Sequence, residues 1–122
     1  METIKLFDSE LKIMEIIWQH TPVSAKDVSM IAAKEIGWNK NTTYTIIKKL
    51  IEKSAVRRTE PNFICTPLIN KEDVQQAETE TLINKFFNGS KKALLSSIFA
   101  SFTEDTILQE EYDELLKIIE KK

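Results

Sequence analysis

Little in this chain breaks a helix: 122 residues carry two glycines and three prolines. Long helices with short connections are therefore expected. A single cysteine, Cys65, excludes an internal disulfide and a multi-cysteine metal site. The one histidine, His20, leaves no nucleophile–His–acid set to assemble, and two distant glycines cannot build a phosphate-cradling loop. An enzyme is not expected, and neither a cofactor nor a bound metal. No apolar run approaches the roughly 20 residues that span a bilayer. Met1-Glu2-Thr3-Ile4-Lys5 lacks the charged-then-apolar layout of a secretory signal. The expected compartment is the cytoplasm, without membrane insertion.

What is present suits a folded domain: 42% hydrophobic and 30% charged residues. The net charge of −2 argues weakly against nucleic acid, but the charge is divided along the chain. Residues 40–58 hold six basic side chains (Lys40, Lys48, Lys49, Lys53, Arg57, Arg58) against one acid, Glu52. Residues 71–122 hold seven basic and eleven acidic. One segment carries a positive field and another a negative one, so the total is a poor guide to partners.

Asp8 can cap a first helix, with Glu10 where a helix N-terminus favours negative charge. Leu11, Met14, Ile17 and Trp18 recur at spacings of three and four, as on a helix buried on one side, and Thr21-Pro22 stops it. Ser24-Ala25-Lys26-Asp27 resembles a capping box with Asp in place of Glu. Val28, Ile31, Ala32 and Ile36 line a second helix that Gly37 ends. Asn39 can cap a third helix over residues 40–53. Thr43, Ile46, Ile47 and Leu50 gather on one side of it. Asn41, Thr45, Lys48, Lys49 and Glu52 fall on the other, flanked by Thr42 and Tyr44. Short hydroxyl, amide and ammonium groups on one helix face can reach base edges and phosphates.

Beyond Ser54 the period changes. Residues 55–59 and 63–66 are strand-like, and Glu60-Pro61-Asn62 between them has turn chemistry. Arg57 and Arg58 are adjacent in a strand and point to opposite faces, so one reaches a phosphate while the other snorkels or pairs with an acid. Pro67 marks a boundary. The rest reads as three helices over residues 71–87, 91–102 and 106–122. The expected fold is mostly α: a winged helix-turn-helix (three helices plus a β-hairpin wing) in residues 1–68, then a helical dimerisation region in residues 69–122. Three helices this apolar cannot all hide against one small domain, and a second copy of the chain offers cover. The expected interface residues are Val74, Leu82, Phe86, Leu94, Ile98, Tyr112, Leu115, Leu116 and Ile119.

Three stretches carry a family resemblance. The first is Asp8-Ser9-Glu10-Leu11-Lys12-Ile13-Met14-Glu15-Ile16-Ile17-Trp18. The second runs from Trp38-Asn39-Lys40-Asn41-Thr42-Thr43-Tyr44-Thr45 through Ile46-Ile47-Lys48-Lys49-Leu50. The third pairs Phe86-Phe87-Asn88-Gly89-Ser90 with Tyr112-Asp113-Glu114-Leu115-Leu116. In collinear order they resemble the BlaI/MecI penicillinase-repressor family, which includes the copper-responsive CopY-type repressors.

The resemblance implies a homodimer that docks its winged helices on an inverted-repeat operator in double-stranded DNA, often with a TACA/TGTA core, and blocks transcription. It places Thr42 and Thr45 on bases or phosphates, Lys49 on phosphate, and Asn39 at the helix cap near the backbone. Lys40, Asn41, Lys48, Arg57 and Arg58 complete the expected DNA-binding set. Tyr44 stands where better-known members carry Arg or a similar polar residue. A phenol offers one hydroxyl and a ring for a thymine methyl instead of a bidentate fork. Ser54 replaces a Gly usual after the recognition helix. The cysteine cluster of the copper-responsive members is missing.

Release by proteolysis of the tail is a further feature of the family, and it implies a membrane-bound sensor protease as a partner. The family's Asn-Phe cut maps to Ser97-Ile98 without gaps, or places its Phe at Phe99 or Phe102 in another alignment, so no cleavage site is assigned.

Blander readings cover the remaining residues. Trp18 and Trp38 are expected in the core, His20 on the surface, and Cys65 as a small buried hydrophobe rather than a thiol sensor. Two competing functions remain: a winged helix used for protein assembly, and a regulator with a small-molecule pocket. Steep loss of DNA affinity with salt would separate the first from a DNA binder.

Overall fold

The computed structural model describes residues 4–101 and 109–120; the side chains of Gln109, Tyr112, Leu115, Ile119 and Glu120 lie outside that description. In chain order the elements are α1 (Asp8–His20), β1 (Val23–Ser24), α2 (Ala25–Glu35), α3 (Lys40–Glu52), β2 (Val56–Thr59), β3 (Ile64–Pro67), α4 (Lys71–Phe87), α5 (Lys91–Ala100) and α6 (Gln109–Glu120). They form two compact units, one reaching to Glu78 and the other starting at Thr79. The division falls within α4, past Pro67.

The first unit is a three-helix core edged by a small antiparallel sheet in the order β1-β3-β2. Ile13, Met14, Ile17, Val28, Ile47, Leu50 and Val56 are its largest fully enclosed apolar side chains. The buried face of α1 is turned from the expected stripe: Leu11 is exposed, while Ile13, Ile16 and the carboxylate of Glu10 go inside. Asp8 is the first helical residue and not the cap. The backbone N–H of Phe7 at the cap position donates to Glu10 Oε1 at 2.8 Å, the reciprocal half of a capping box.

Ser24 caps α2 by accepting from the Asp27 N–H (3.1 Å), and Gly37 ends the helix region in the left-handed conformation at φ 84°. Ser54 follows α3 at φ 64°. The left-handed turn for which the resemblance implies a Gly is thus made here with a Cβ, at a steric cost of about 1–2 kcal/mol.

In the wing, Arg57 pairs with Thr66 and Arg58 with Cys65 across β2 and β3. A two-residue strand that the sequence reading lacks, β1, pairs Val23 with Cys65 and closes the other side of β3. Two residues are too short to show a period, and only a distant partner makes them a strand. β3 starts at Ile64, because Asn62 and Phe63 lie in left-handed backbone at φ 74° and 49°, and it runs on to Pro67, which pairs with Val56.

Asn70 caps α4 by accepting from the Asp73 N–H at 2.8 Å. Val74, expected at a dimer interface, is instead buried in the core of the first unit, where the opening turns of α4 are also tied by Lys71 to Glu15 (2.9 Å). Trp18 joins the same region, donating from Nε1 to the Ile69 carbonyl at 3.0 Å. In the second unit Asn88 and Gly89, at φ 50° and 82°, end α4, and Ser90 caps α5 by accepting from the Ala93 N–H. Among the described residues of this unit only Ile83 is buried.

Candidate nucleic-acid interface

α3 is amphipathic in the way its sequence requires. Thr43, Ile46, Ile47 and Leu50 are buried, while Asn41, Thr42, Thr45, Lys48 and Lys49 are exposed. Asn39 caps it, accepting from the Thr42 N–H at 2.8 Å. The first-turn amides left over point out of the helix with its positive dipole end, a setting that favours phosphate. Thr45 Oγ1 donates to the Asn41 carbonyl at 2.9 Å. Its proton is therefore engaged within the helix, and what it offers outward is an acceptor for amino groups on base edges.

Among the described residues, the ammonium groups of Lys48 and Lys49 have no ion-pair partner. Lys53 is different. Its ammonium donates to Glu10 Oε1 (2.6 Å) and to the Lys5 carbonyl (2.9 Å), and lies 4.3 Å from the centre of the Phe7 ring. One of the six positive charges of residues 40–58 is thus spent on neutralising a buried carboxylate and fastening the end of α3 to the start of α1.

Tyr44 is half-buried, its ring packed perpendicular to that of Phe63 at 5.9 Å between centroids and an interplanar angle of 82°. Lys40 Nζ lies 5.7 Å from the same ring. The ring is committed to packing, which leaves the hydroxyl as the polar group Tyr44 can present. On the wing, Arg58 pairs with Glu60 and lays its guanidinium 3.7 Å from the centre of the Phe63 ring. Arg57 is exposed and enters none of the ion pairs among the described residues. Of the two adjacent arginines, Arg58 takes the acid and Arg57 is left for a phosphate.

Two contributors escaped the sequence reading. Phe63 looked like one more strand residue, and Glu10 like a first-turn acid serving the helix dipole. Besides the Phe7 amide and Arg58 nearby, the partners that give them their roles are distant: Lys53, 43 residues from Glu10, and Tyr44 in the recognition helix for Phe63. Cys65 is fully buried in β3, and burial pushes its thiol up from 9.0 to about 11 against a smaller opposing effect of Arg58. A thiol so protected is a packing group and a poor sensor. Trp18 and Trp38 pack against the core, and His20 is exposed at the end of α1. No helix among the described residues is long and apolar enough to cross a membrane.

Known proteins match this geometry. A sequence model of the penicillinase repressor family covers residues 6–121. The penicillinase repressor of Bacillus licheniformis is 30% identical over 96% of this chain and 91% of its own length. The methicillin resistance regulatory protein MecI of Mammaliicoccus sciuri is 27% identical over 99% and 98%. Among solved structures, the DNA-binding domain of the repressor BlaI superposes with a TM-score of 0.54 at 30% identity, over 60% of this chain and 93% of that one. The monomeric form of Bacillus licheniformis BlaI in complex with the blaP half-operator gives the same values. The chain belongs to the penicillinase-repressor family, non-enzymatic DNA-binding regulators built on a winged helix.

Proposed function

We propose that the protein is a sequence-specific transcriptional repressor that binds an inverted-repeat operator as a homodimer. The carrying observation is α3, enclosed on one side by core and presenting Asn41, Thr42, Thr45, Lys48 and Lys49 on the other. A module kept only for protein assembly has no need of an outward basic face on this helix. In this reading α3 enters the major groove, Thr42, Thr45 and the Tyr44 hydroxyl read base edges, and Asn39 holds the helix start near the backbone. Lys40, Lys48, Lys49 and Arg57 grip phosphates. Arg58 adds its charge to the wing while remaining on Phe63 and Glu60.

Two-fold symmetry then sets half-sites about one helical turn, roughly 34 Å, apart. The tail supports the dimer: Leu82, Phe86 and Ile98 are exposed in the single chain and Leu94 and Leu116 are half-buried. The side chains of Tyr112, Leu115 and Ile119, assigned to the same interface, lie outside the described residues. Cutting the tail would separate the half-sites and release the operator, and a membrane-bound sensor protease is the partner this requires in a cytoplasmic repressor.

Fluorescence anisotropy against a TACA/TGTA inverted-repeat duplex and a scrambled control, at two salt concentrations, tests the proposal. The expected result is a preference of about 10³-fold or more with two chains per duplex. Equal, salt-sensitive binding to both duplexes would mean another operator, and no binding at low salt would overturn the DNA-binding reading.

A further inference from the structure

One side chain at the tip of the wing touches both the recognition helix and the wing's own strand. Phe63 meets the ring of Tyr44 from α3 in a T-shaped contact at 5.9 Å between centroids and has the guanidinium of Arg58 from β2 over its face at 3.7 Å. Its carbonyl accepts from the N–H of Ala25, the first residue of α2, at 2.9 Å. Three elements thus meet on a residue at the wing tip. Its backbone sits at φ 49°, directly after Asn62 at 74°, where a bulky side chain is strained. Such a conformation persists where the surroundings over-determine it, and the two ring contacts together with the carbonyl bond do so here.

Edge-to-face aromatic packing and a cation over a ring are both directional, so they restrict angle as well as distance. Arg57, next to Arg58 on β2, points the other way and carries the wing's charge without an ion-pair partner among the described residues. Where Arg57 lies relative to α3 therefore depends on how Phe63 holds the strand.

We propose that Phe63 is a positioning residue for DNA binding: Tyr44, Phe63 and Arg58 form a lock that sets the wing against α3 and so places Arg57 on a phosphate. The lock rests on the DNA-binding function proposed above. It also gives Tyr44 a purpose that a polar side chain at that position would not serve, since its ring is one half of the perpendicular pair with Phe63.

The test uses the full chain and anisotropy titrations across a salt series on one duplex. Phe63→Leu keeps an apolar side chain but removes the ring face and edge. It should weaken binding by about 3- to 10-fold and lower the salt slope by about one, the signature of a lost phosphate contact. In the Arg57→Ala background, Phe63→Leu should change affinity by less than about twofold, because the contact it positions is already gone. Arg58→Lys, which keeps the charge and loses the stacking plane, should behave as a milder Phe63→Leu and is surface-exposed, so the fold is not at stake. An unchanged salt slope in Phe63→Leu, or an equal loss with and without Arg57, would overturn the lock while leaving the DNA-binding reading intact. A wild-type protein that binds no duplex at low salt would overturn both.

Discussion

Lys53 lies in the basic segment, yet its ammonium is held by Glu10, the Lys5 carbonyl and the Phe7 ring. Glu10 is 1% exposed and its Oε2 is buried without a hydrogen-bond partner; Lys53 is the one ion-pair partner of this carboxylate among the described residues. Removing one partner of a buried pair strands the other, at about 3–5 kcal/mol where both are enclosed. Because the Lys53 side chain is 29% exposed, water makes up part of the loss. Lys53→Met should cost about 2 kcal/mol in urea unfolding. At temperatures where the variant is folded, its DNA affinity and salt slope should match the wild type; a reduced slope would add Lys53 to the phosphate contacts. Cys65 supplies a second test. Its folded pKa is raised from 9.0 to about 11 by burial, so the thiol's contribution to stability is intact below about 9 and lost as pH rises through about 11. The shift corresponds to about 2–3 kcal/mol. Alkaline unfolding of wild type against Cys65→Ala should show this loss only in the wild type.

The second and third helices of the winged unit were legible because their apolar positions repeat locally and their caps are the expected residues. Ser24 and Asn39 each accept from the amide three positions on, whereas α1 begins at Asp8, its expected cap, and turns its buried face. What escaped is non-local. β1 exists only through Cys65 and Ile64, the buried carboxylate of Glu10 is met by Lys53 from the far end of α3, and Phe63 matters because Tyr44 and Arg58 converge on it. The composition of α3 announced a polar face, but periodicity could not say that the Tyr44 ring turns to the wing or that Thr45 spends its proton on Asn41. These details separate two substitutions on one helix. Lys49→Ala should weaken binding to specific and random duplexes alike by several-fold and lower the salt slope by about one. Tyr44→Phe keeps the packing ring and loses the hydroxyl. It should leave the slope unchanged and narrow the gap between operator and scrambled duplex by about 10-fold. A uniform loss on both duplexes would assign Tyr44 to packing alone.

The two units differ in how completely they enclose their apolar side chains. The first buries a continuous cluster that reaches from Leu6 to Val74, whereas α5, although rich in Leu, Ile and Phe, buries none of its residues. Phe86 is 64% exposed on α4 and Ile118 56% exposed on α6. Apolar surface of this kind fits a place where another protein sits, and the homodimer proposed above would cover it with a second copy of the chain. Because these side chains are not part of the single chain's core, charging one should break association without unfolding the winged helix. Phe86→Asp is therefore expected to sediment as a monomer whose wing and core keep the wild-type far-UV circular dichroism. Each winged helix would then bind alone, and joining two half-sites through one dimer is worth about 10²- to 10⁴-fold in affinity. The variant should lose that factor on the full inverted repeat and almost nothing on a half-site duplex. A dimeric Phe86→Asp with undiminished operator affinity would move the interface away from α4, while a monomer that still prefers the full repeat would mean the DNA itself, and not the tail, couples the two half-sites.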